Sequence, residues 1–162
     1  MIAAPGPVYP WPIGVGPRYH PTAANAAVAN GAPVGRLRCT HDGRTFAVHV
    51  ELFARRRVVI VPPRIGVGPR GCSYPLRTDD PTGVVHVLGG GRYVLGDLFR
   101  VWGRTLGPQA LLSFHGKVSV YVGGRRFAGD PRTVPLRRHD EIVVEVGGHV
   151  APHPTYVFPK GS

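Results

Sequence analysis

Apolar and polar residues alternate with a period of two in several short stretches of this chain. The clearest stretch is Thr45–Phe53, in which apolar residues alternate with Ala47, His49 and Glu51. This period predicts a β-strand with two different faces. The same reasoning predicts strands over 58–61, 84–88, 118–122 and 141–146, with 125–127 pairing back after a Gly-Gly turn. In the last of these, we expect Glu141 and Glu145 to point outward, away from the apolar face.

One segment has the apolar spacing of a helix. Leu95–Trp102 carries large apolar residues at i, i+3, i+4 and i+7, which form one stripe. Asp97 suits the first turn of such a helix, and Gly103 is placed to end it. A hairpin, a helix and further strands predict a mostly β (α+β) fold. We expect a β-grasp-like mixed sheet of four to five strands, one short helix packed across it, and long Pro/Gly-rich loops.

Composition divides the chain into three parts. Residues 1–36 are rich in Pro, Gly and Ala and nearly free of charge, which predicts a flexible N-terminal arm. Residues 37–147 contain all the predicted strands and the helix, so we expect one globular domain there. Residues 148–162 are punctuated by proline and are predicted to form an extended tail.

The chain is strongly basic, with 20 Lys and Arg residues against 9 acidic ones and a formal charge of +11. One interpretation is attraction to an anionic envelope polymer or a lipid surface; the other is solvated charge of no specific role, supplied by arginine codons of a GC-rich genome. Nucleic acid is a poor candidate, because no helix-turn-helix, zinc-finger or RNP-like motif occurs. The candidate anion-binding residues lie in predicted turns: Arg55, Arg56, Arg57, Arg125, Arg126, Arg137 and Arg138.

Two cysteines, Cys39 and Cys72, lie beside loop-like sequence. An even pair in a small Pro-rich domain favours one disulfide and an oxidising compartment, and two buried free thiols are the alternative. No signal-peptide pattern occurs at Met1–Pro5, and no stretch has the ~20 apolar residues of a membrane span. We expect this of the mature form of a secreted or cell-envelope protein.

Eight histidines raise the question of a metal site. His49 and Glu51 share one face of the first predicted strand, and His86 lies on the strand 84–88. If these strands are neighbours, the three side chains approach one another, with Asp79 in the preceding loop as a fourth candidate ligand. Imidazole and carboxylate groups suit zinc or copper. The alternative is that each histidine makes one ordinary hydrogen bond, because no H-x-H or H-E-x-x-H motif fixes two ligands locally.

Several longer motifs carry a resemblance. They include "His-Val-Glu-Leu-Phe", "Val-Pro-Pro-Arg-Ile-Gly-Val", "Leu-Gly-Asp-Leu-Phe-Arg-Val-Trp-Gly" and a "Tyr-Val-Phe-Pro" ending. Over Val48–Phe158 the chain resembles a group of uncharacterised secreted or envelope proteins of high-GC bacteria, which implies no activity. Members of that group have "Leu-His-Thr-His-Asp" where this chain has Leu76–Asp80. The resemblance therefore implies that histidines are replaced here by Arg77 and Asp79, and that a metal site of the group is lost or altered.

Catalytic motifs are lacking, since neither Ser73 nor Ser113 lies in a nucleophile elbow. We therefore expect a non-catalytic secreted or cell-envelope binding or structural module, with an anionic polymer, a lipid surface or another protein as partner and no required cofactor. The first alternative is a copper- or zinc-binding protein that uses His49 and His86. The second is an enzyme whose site is assembled from loops.

Overall fold

The computed structural model describes Tyr19 and residues 21–22, 25–41 and 43–162. Within these residues, seven strands form one mixed sheet and three short strands form a second sheet. The strands are β1 Thr45–Ala54, β2 Arg57–Val59, β3 Leu76–Arg77, β4 Val84–Leu88, β5 Leu106–Gly107, β6 Ala110–Leu111, β7 Phe114–His115, β8 Val118–Val122, β9 Arg125–Arg126 and β10 Glu141–Val146. The helices are α1 Ala26–Ala29 and α2 Leu95–Trp102, with 3-10 turns at Pro69–Gly71 and Pro131–Thr133.

A parallel pair of strands, β1 and β10, forms the centre of the main sheet. The order is β3-β4-β1-β10-β8-β9, and β2 continues beside β1 through a hairpin. Every neighbouring pair other than β1 and β10 is antiparallel. The central register places His49 beside Glu141 and Ala54 beside Val146. Residues from the two ends of the domain are thus brought side by side.

The core lies between one face of this sheet and α2. Val48, Val50 and Leu52 of β1 point into it, together with the alternate valines and Ile142 of β10. The apolar stripe of α2 packs on this face, and its leucines, Phe99 and Trp102 are buried, as its spacing predicts. Gly103 ends the helix with a left-handed φ of 75°, a conformation that glycine adopts without cost.

The opposite face of the sheet is also covered, which corrects one prediction. Glu141 and Glu145 were expected to point outward, but both are buried, with relative exposures of 2% and 4%. They do lie on the face away from α2, but the tail after β10 runs along that face. Val150 packs there against the small apolar cluster of Phe53, Val58, Ile60 and Val143. A period of two marks the two faces of a strand but does not reveal a later segment that covers one of them.

Part of the segment predicted as an arm is packed on the domain. Tyr19 forms a parallel bridge with Val59, and Asn25 donates to the backbone carbonyls of Arg100 and Val101. Val28 of α1 is buried in the core. The packed structure therefore includes residues before position 37. Residues 1–18 of the predicted arm lie outside the described residues.

Strong periodicity predicted β4, β8, β10 and α2 with their observed bounds. The expected number of four to five strands was too low for the seven-stranded main sheet. β3 was not predicted, because it has two residues and carries no measurable period, whereas β9 lies within the predicted segment 125–127. The predicted strand at 58–61 pairs with β1 only over Arg57–Val59. The predicted disulfide is present, joining Cys39 to Cys72 across 33 positions.

Candidate metal centre beneath the C-terminal tail

Three acid and imidazole groups meet on the sheet face that the tail covers. His49 and Glu51 project from β1, and Glu141 projects from the adjacent end of β10. One potential ligand atom from each residue lies within 4.8 Å of the other two. We call these three residues the His49 cluster. The parallel register of β1 and β10 creates the cluster, since it sets Glu141 directly beside His49.

Both nitrogens of the buried His49 ring have hydrogen-bond partners. Nε2 lies 2.8 Å from the carbonyl oxygen of Thr82, and Nδ1 lies 2.7 Å from Oε2 of Glu141. A carbonyl oxygen only accepts, so Nε2 carries a proton and donates it to Thr82. In the neutral ring, Nδ1 is then the atom with a free lone pair.

Burial determines the protonation of this pair in the metal-free protein. It raises the pKa of Glu141 to about 11, and the nearby charge of Glu51 adds to the shift. Burial also lowers the pKa of His49 to about 4, although the charge of Glu51 opposes this change. At neutral pH the imidazole is therefore neutral, and the protonated Glu141 carboxyl donates to Nδ1. The second carboxyl oxygen, Oε1, is buried and accepts no N–H or O–H hydrogen bond from the described residues, although the carboxyl groups of Glu141 and Glu51 lie within hydrogen-bond reach of each other.

The tail completes the surroundings of the cluster with two further side chains. The Nδ1 atom of His153 lies 2.8 Å from a carboxylate oxygen of Glu51. The ring of Tyr156 stacks on the ring of His49, with centroids 3.5 Å apart and planes within 6°. Its hydroxyl is buried beside the side chain of Thr82. Burial, followed by the charge of Asp80, raises the pKa of Tyr156 to about 12.

The predicted metal ligands are divided between two places. His49 and Glu51 belong to the cluster, whereas His86 pairs with Asp79 at 3.2 Å. His86 lies opposite Ala47 in the β1–β4 register and so shares the sheet face of His49. Burial lowers the pKa of His86, although the charge of Asp79 acts the other way. Arg77 also contacts Asp79, at 3.2 Å.

Sequence reasoning missed Glu141, His153 and Tyr156. Glu141 was assigned to the outer face without a role, and nothing local links it to a residue 92 positions earlier. The available signal was the pair of acids, Glu141 and Glu145, within the otherwise apolar strand β10. Burying two carboxylates is costly unless each has a hydrogen-bonding or charged partner. His153 and Tyr156 follow the last strand in an irregular segment, where periodicity gives no information.

The predicted anion-binding arginines lie at two ends of the main sheet and all are exposed. Arg55 and Arg56 form the β1–β2 turn with positive φ values of 52° and 64°, which non-glycine residues seldom adopt. Arg57 begins β2. Arg125 and Arg126 form β9 at the other end of the sheet. The register of β8 with β10 brings β9 near the loop before β10, which carries Arg137 and Arg138.

No family model matches this chain, and neither the curated proteins nor the solved structures contain a match. The resemblance suggested by the sequence motifs therefore stays a prediction. Among the described residues, no helix has the length and hydropathy needed to cross a bilayer.

Proposed function

We propose that this protein binds a divalent transition-metal ion at the His49 cluster. The observation that carries the proposal is the convergence of one imidazole and two carboxylates within 4.8 Å on a covered sheet face. One carboxyl oxygen of that set, Oε1 of Glu141, is buried and accepts no N–H or O–H hydrogen bond from the described residues, while the carboxyl groups of Glu141 and Glu51 lie within hydrogen-bond reach of each other. A buried carboxyl oxygen without a donor is costly, and a cation beside it would remove that cost.

The orientation of His49 supports the proposal. Metal-binding histidines usually donate their second ring N–H to a carbonyl or carboxylate, which fixes the tautomer and the ring plane. Here Nε2 donates to the carbonyl of Thr82, and the lone pair of Nδ1 faces the carboxyl of Glu141. The ring is also held from one side by Tyr156. The imidazole is thus oriented for a ligand at Nδ1.

The charge balance points the same way. Two adjacent carboxyl groups on a buried surface repel each other, and the metal-free protein relieves this by keeping Glu141 protonated. A doubly charged cation would balance both carboxylates and would release the proton of Glu141. Metal binding is therefore expected to release about one proton.

The donor set favours zinc over calcium or magnesium. Imidazole nitrogen is a good ligand for Zn²⁺ and Cu²⁺, whereas the two hard cations prefer oxygen alone. His153 contacts Glu51 from the tail but lies outside the group that converges within 4.8 Å, so it would become a fourth ligand only after a shift toward the cluster. A set of two histidines and two glutamates would complete a tetrahedral zinc site.

Calorimetric titration of untagged, EDTA-treated protein with Zn²⁺ and Cu²⁺ tests this function. We expect one site per chain, with proton release measured from the dependence of the heat on buffer. Glu141→Gln and His49→Gln should weaken binding by at least about tenfold. His86→Gln is the matched control, because His86 lies on the same sheet face but outside the cluster.

Two results would overturn the metal proposal. The first is the lack of stoichiometric binding by a folded wild-type protein. The second is binding that survives Glu141→Gln unchanged but is lost with His86→Gln. Circular dichroism of each variant shows whether it has folded.

We further propose that the sheet has a β-grasp-like topology and that the protein works outside the cytoplasm. The central parallel pair, with α2 in the connection between its strands, supports the first statement. The Cys39–Cys72 disulfide supports the second, since such bonds persist in oxidising compartments.

A second candidate function is binding of an anionic envelope polymer through exposed arginines. Of the described carboxylates, only those of Asp79, Asp97 and Asp130 pair with arginine. The others bind histidines, backbone N–H groups or Thr82. The arginines therefore have few internal partners. We define the basic end of the sheet as Arg125, Arg126, Arg137 and Arg138.

Retention on an anionic polymer such as immobilised heparin tests this second function. We expect wild-type protein to elute at higher salt than a variant with all four basic-end arginines changed to glutamine. The triple Arg55→Gln, Arg56→Gln, Arg57→Gln variant, at the opposite end, shows whether one end dominates. Absent or salt-independent retention of wild-type protein would contradict the proposal.

A further inference from the structure

A cavity of about 400 Å³ opens on the core side of the sheet, away from the His49 cluster. Three segments line it: Tyr19 and Pro21 near the start of the described chain, Gly103–Thr105 after α2, and Leu112–Phe114 of the small sheet. Its volume is within the range of small-molecule sites, which begins at about 300 Å³.

The charged group in this cavity is Arg104. Its Nη2 atom donates to Oγ1 of Thr22 at 2.8 Å and contacts the carbonyl oxygen of Thr22 at 3.3 Å. Its Nε atom is buried and has no hydrogen-bond partner among the residues that the structure describes. A guanidinium is always charged and has five N–H donors. When some of these donors lack an acceptor, the group favours binding of an anion.

The remaining wall is apolar and aromatic, with two hydroxyls. Tyr19 and Phe114 meet edge to face, with ring centroids 4.7 Å apart. Arg55 lies over the ring of Phe114 at 5.9 Å and adds a second positive charge nearby. Thr105 and Ser113 contribute hydroxyl groups, and none of the lining residues is acidic.

The backbone of this wall is strained at one residue. Leu112 has a φ of 55°, which a leucine seldom adopts, and it packs against the core while lining the cavity. Such conformations cost on the order of 1–3 kcal/mol, and they concentrate at binding sites. The strain, the cavity and the unpaired guanidinium N–H occur at one place.

We propose that this cavity binds a small organic anion, in which a flat ring lies against Phe114 and Tyr19 and a carboxylate or phosphate group pairs with Arg104. The ring contacts the apolar wall, and the anion accepts from the Arg104 guanidinium and from the hydroxyls of Thr105 or Ser113. The site is independent of metal binding at the His49 cluster.

Titration followed by NMR chemical shifts, with four probes, tests this site. Benzoate and phenyl phosphate carry both features, inorganic phosphate carries only the anion, and benzyl alcohol carries only the ring. We expect saturable binding of one or both aromatic anions, at least tenfold tighter than binding of phosphate or benzyl alcohol. The preferred aromatic anion shows which acidic group the site takes.

Variants locate the binding. Arg104→Gln should weaken the aromatic anion at least tenfold, whereas Arg92→Gln, at an exposed arginine outside the cavity, should leave it unchanged. Arg104 also donates to Thr22, so its substitution could disturb the cavity wall. A second variant, Ser113→Trp, keeps Arg104 unchanged. Ser113 is exposed on the cavity wall, and a tryptophan there should fill the cavity and abolish binding. Equal binding by Arg104→Gln and wild type, or no saturable binding of either aromatic anion to wild type, would overturn the proposal.

Discussion

Nδ1 of His49 lies 2.7 Å from Oε2 of Glu141, although the two residues are 92 positions apart in the chain. The parallel pairing of β1 with β10 brings them together. Because Nε2 of His49 donates to a carbonyl, the proton between the two side chains belongs to Glu141 in the metal-free state. This places a neutral acid and a neutral imidazole where a cation could bind both.

The stability of metal-free protein should fall as the pH rises above about 6.5. The folded pKa of Glu141, about 11, lies above its ordinary value of 4.5, so the native state keeps a proton that the unfolded chain loses. The lowered pKa of His49, about 4, opposes this trend only up to its ordinary value of 6.5. Urea unfolding of EDTA-treated protein at pH 7 and pH 9 measures the difference.

Glu141→Gln is the matched variant for this pH effect, since the amide can still donate to Nδ1 but does not titrate. We expect it to be less sensitive to pH than wild type over the same interval. An equal loss of stability in both proteins would show that another group is responsible.

Gly83→Ala should disturb the His49 cluster from the backbone side. Gly83 has a φ of 85°, and a Cβ there would meet the carbonyl oxygen of Val50 and lie 3.1 Å from Nε2 of His49. We expect both lower stability and weaker zinc binding, because the ring must move. Gly90→Ala is the control, with a φ of 81° and open space around the added carbon. It should cost only the conformational strain of about 1 kcal/mol and leave zinc binding unchanged.

How far the sequence predicts this site depends on how far apart in the chain the interacting residues lie. His49 and Glu51 share a strand, so alternation alone places them on one face. Glu141 joins them only through the pairing of distant strands, and its burial depends on a tail without periodic sequence. The proposal of His86 as a ligand depended on the condition that β1 and β4 are neighbours, which the structure meets. It did not foresee that His86 would pair with Asp79 and lie outside the His49 cluster.

Asp97→Asn should destabilise the fold strongly. The carboxylate is fully buried at the start of α2, where it accepts from the backbone N–H of Val94 and from the guanidinium groups of Arg36 and Arg100. Removing its charge leaves the helix start and both arginines poorly paired, at a cost of about 2–4 kcal/mol. Chemical unfolding measures this loss, and Asp130→Asn, at a partly exposed carboxylate, should have a smaller effect. Equal effects would contradict a special role of Asp97.

Breaking the disulfide should also lower stability. Cys39 and Cys72 enclose 33 positions, and loop closure of that length is worth about 3–4 kcal/mol in the chain-entropy model. We expect a lower urea midpoint after reduction or in the double Cys39→Ser, Cys72→Ser variant. Reductant should not change the midpoint of that double variant, which is the control. A thiol assay that finds two free thiols in unreduced, unfolded protein would contradict the disulfide.

The main elements of the domain are local enough to be predicted. The helix α2 has a complete apolar stripe, an acid in its first turn and a terminal glycine, and these signals agree. The cysteine pairing followed from there being only two cysteines in the chain. The small sheet of β5, β6 and β7 was not predicted, because strands of two residues form only through their pairing with one another.

The central claim, a metal ion held by His49, Glu51 and Glu141, is tested most directly by anomalous diffraction at the zinc absorption edge from crystals of the zinc-loaded protein. The account predicts one strong peak between β1 and β10, about 2.0–2.2 Å from Nδ1 of His49 and from a carboxylate oxygen of each glutamate. Zinc found only at His86 and Asp79 or at surface histidines, with the His49–Glu141 hydrogen bond intact, would contradict it.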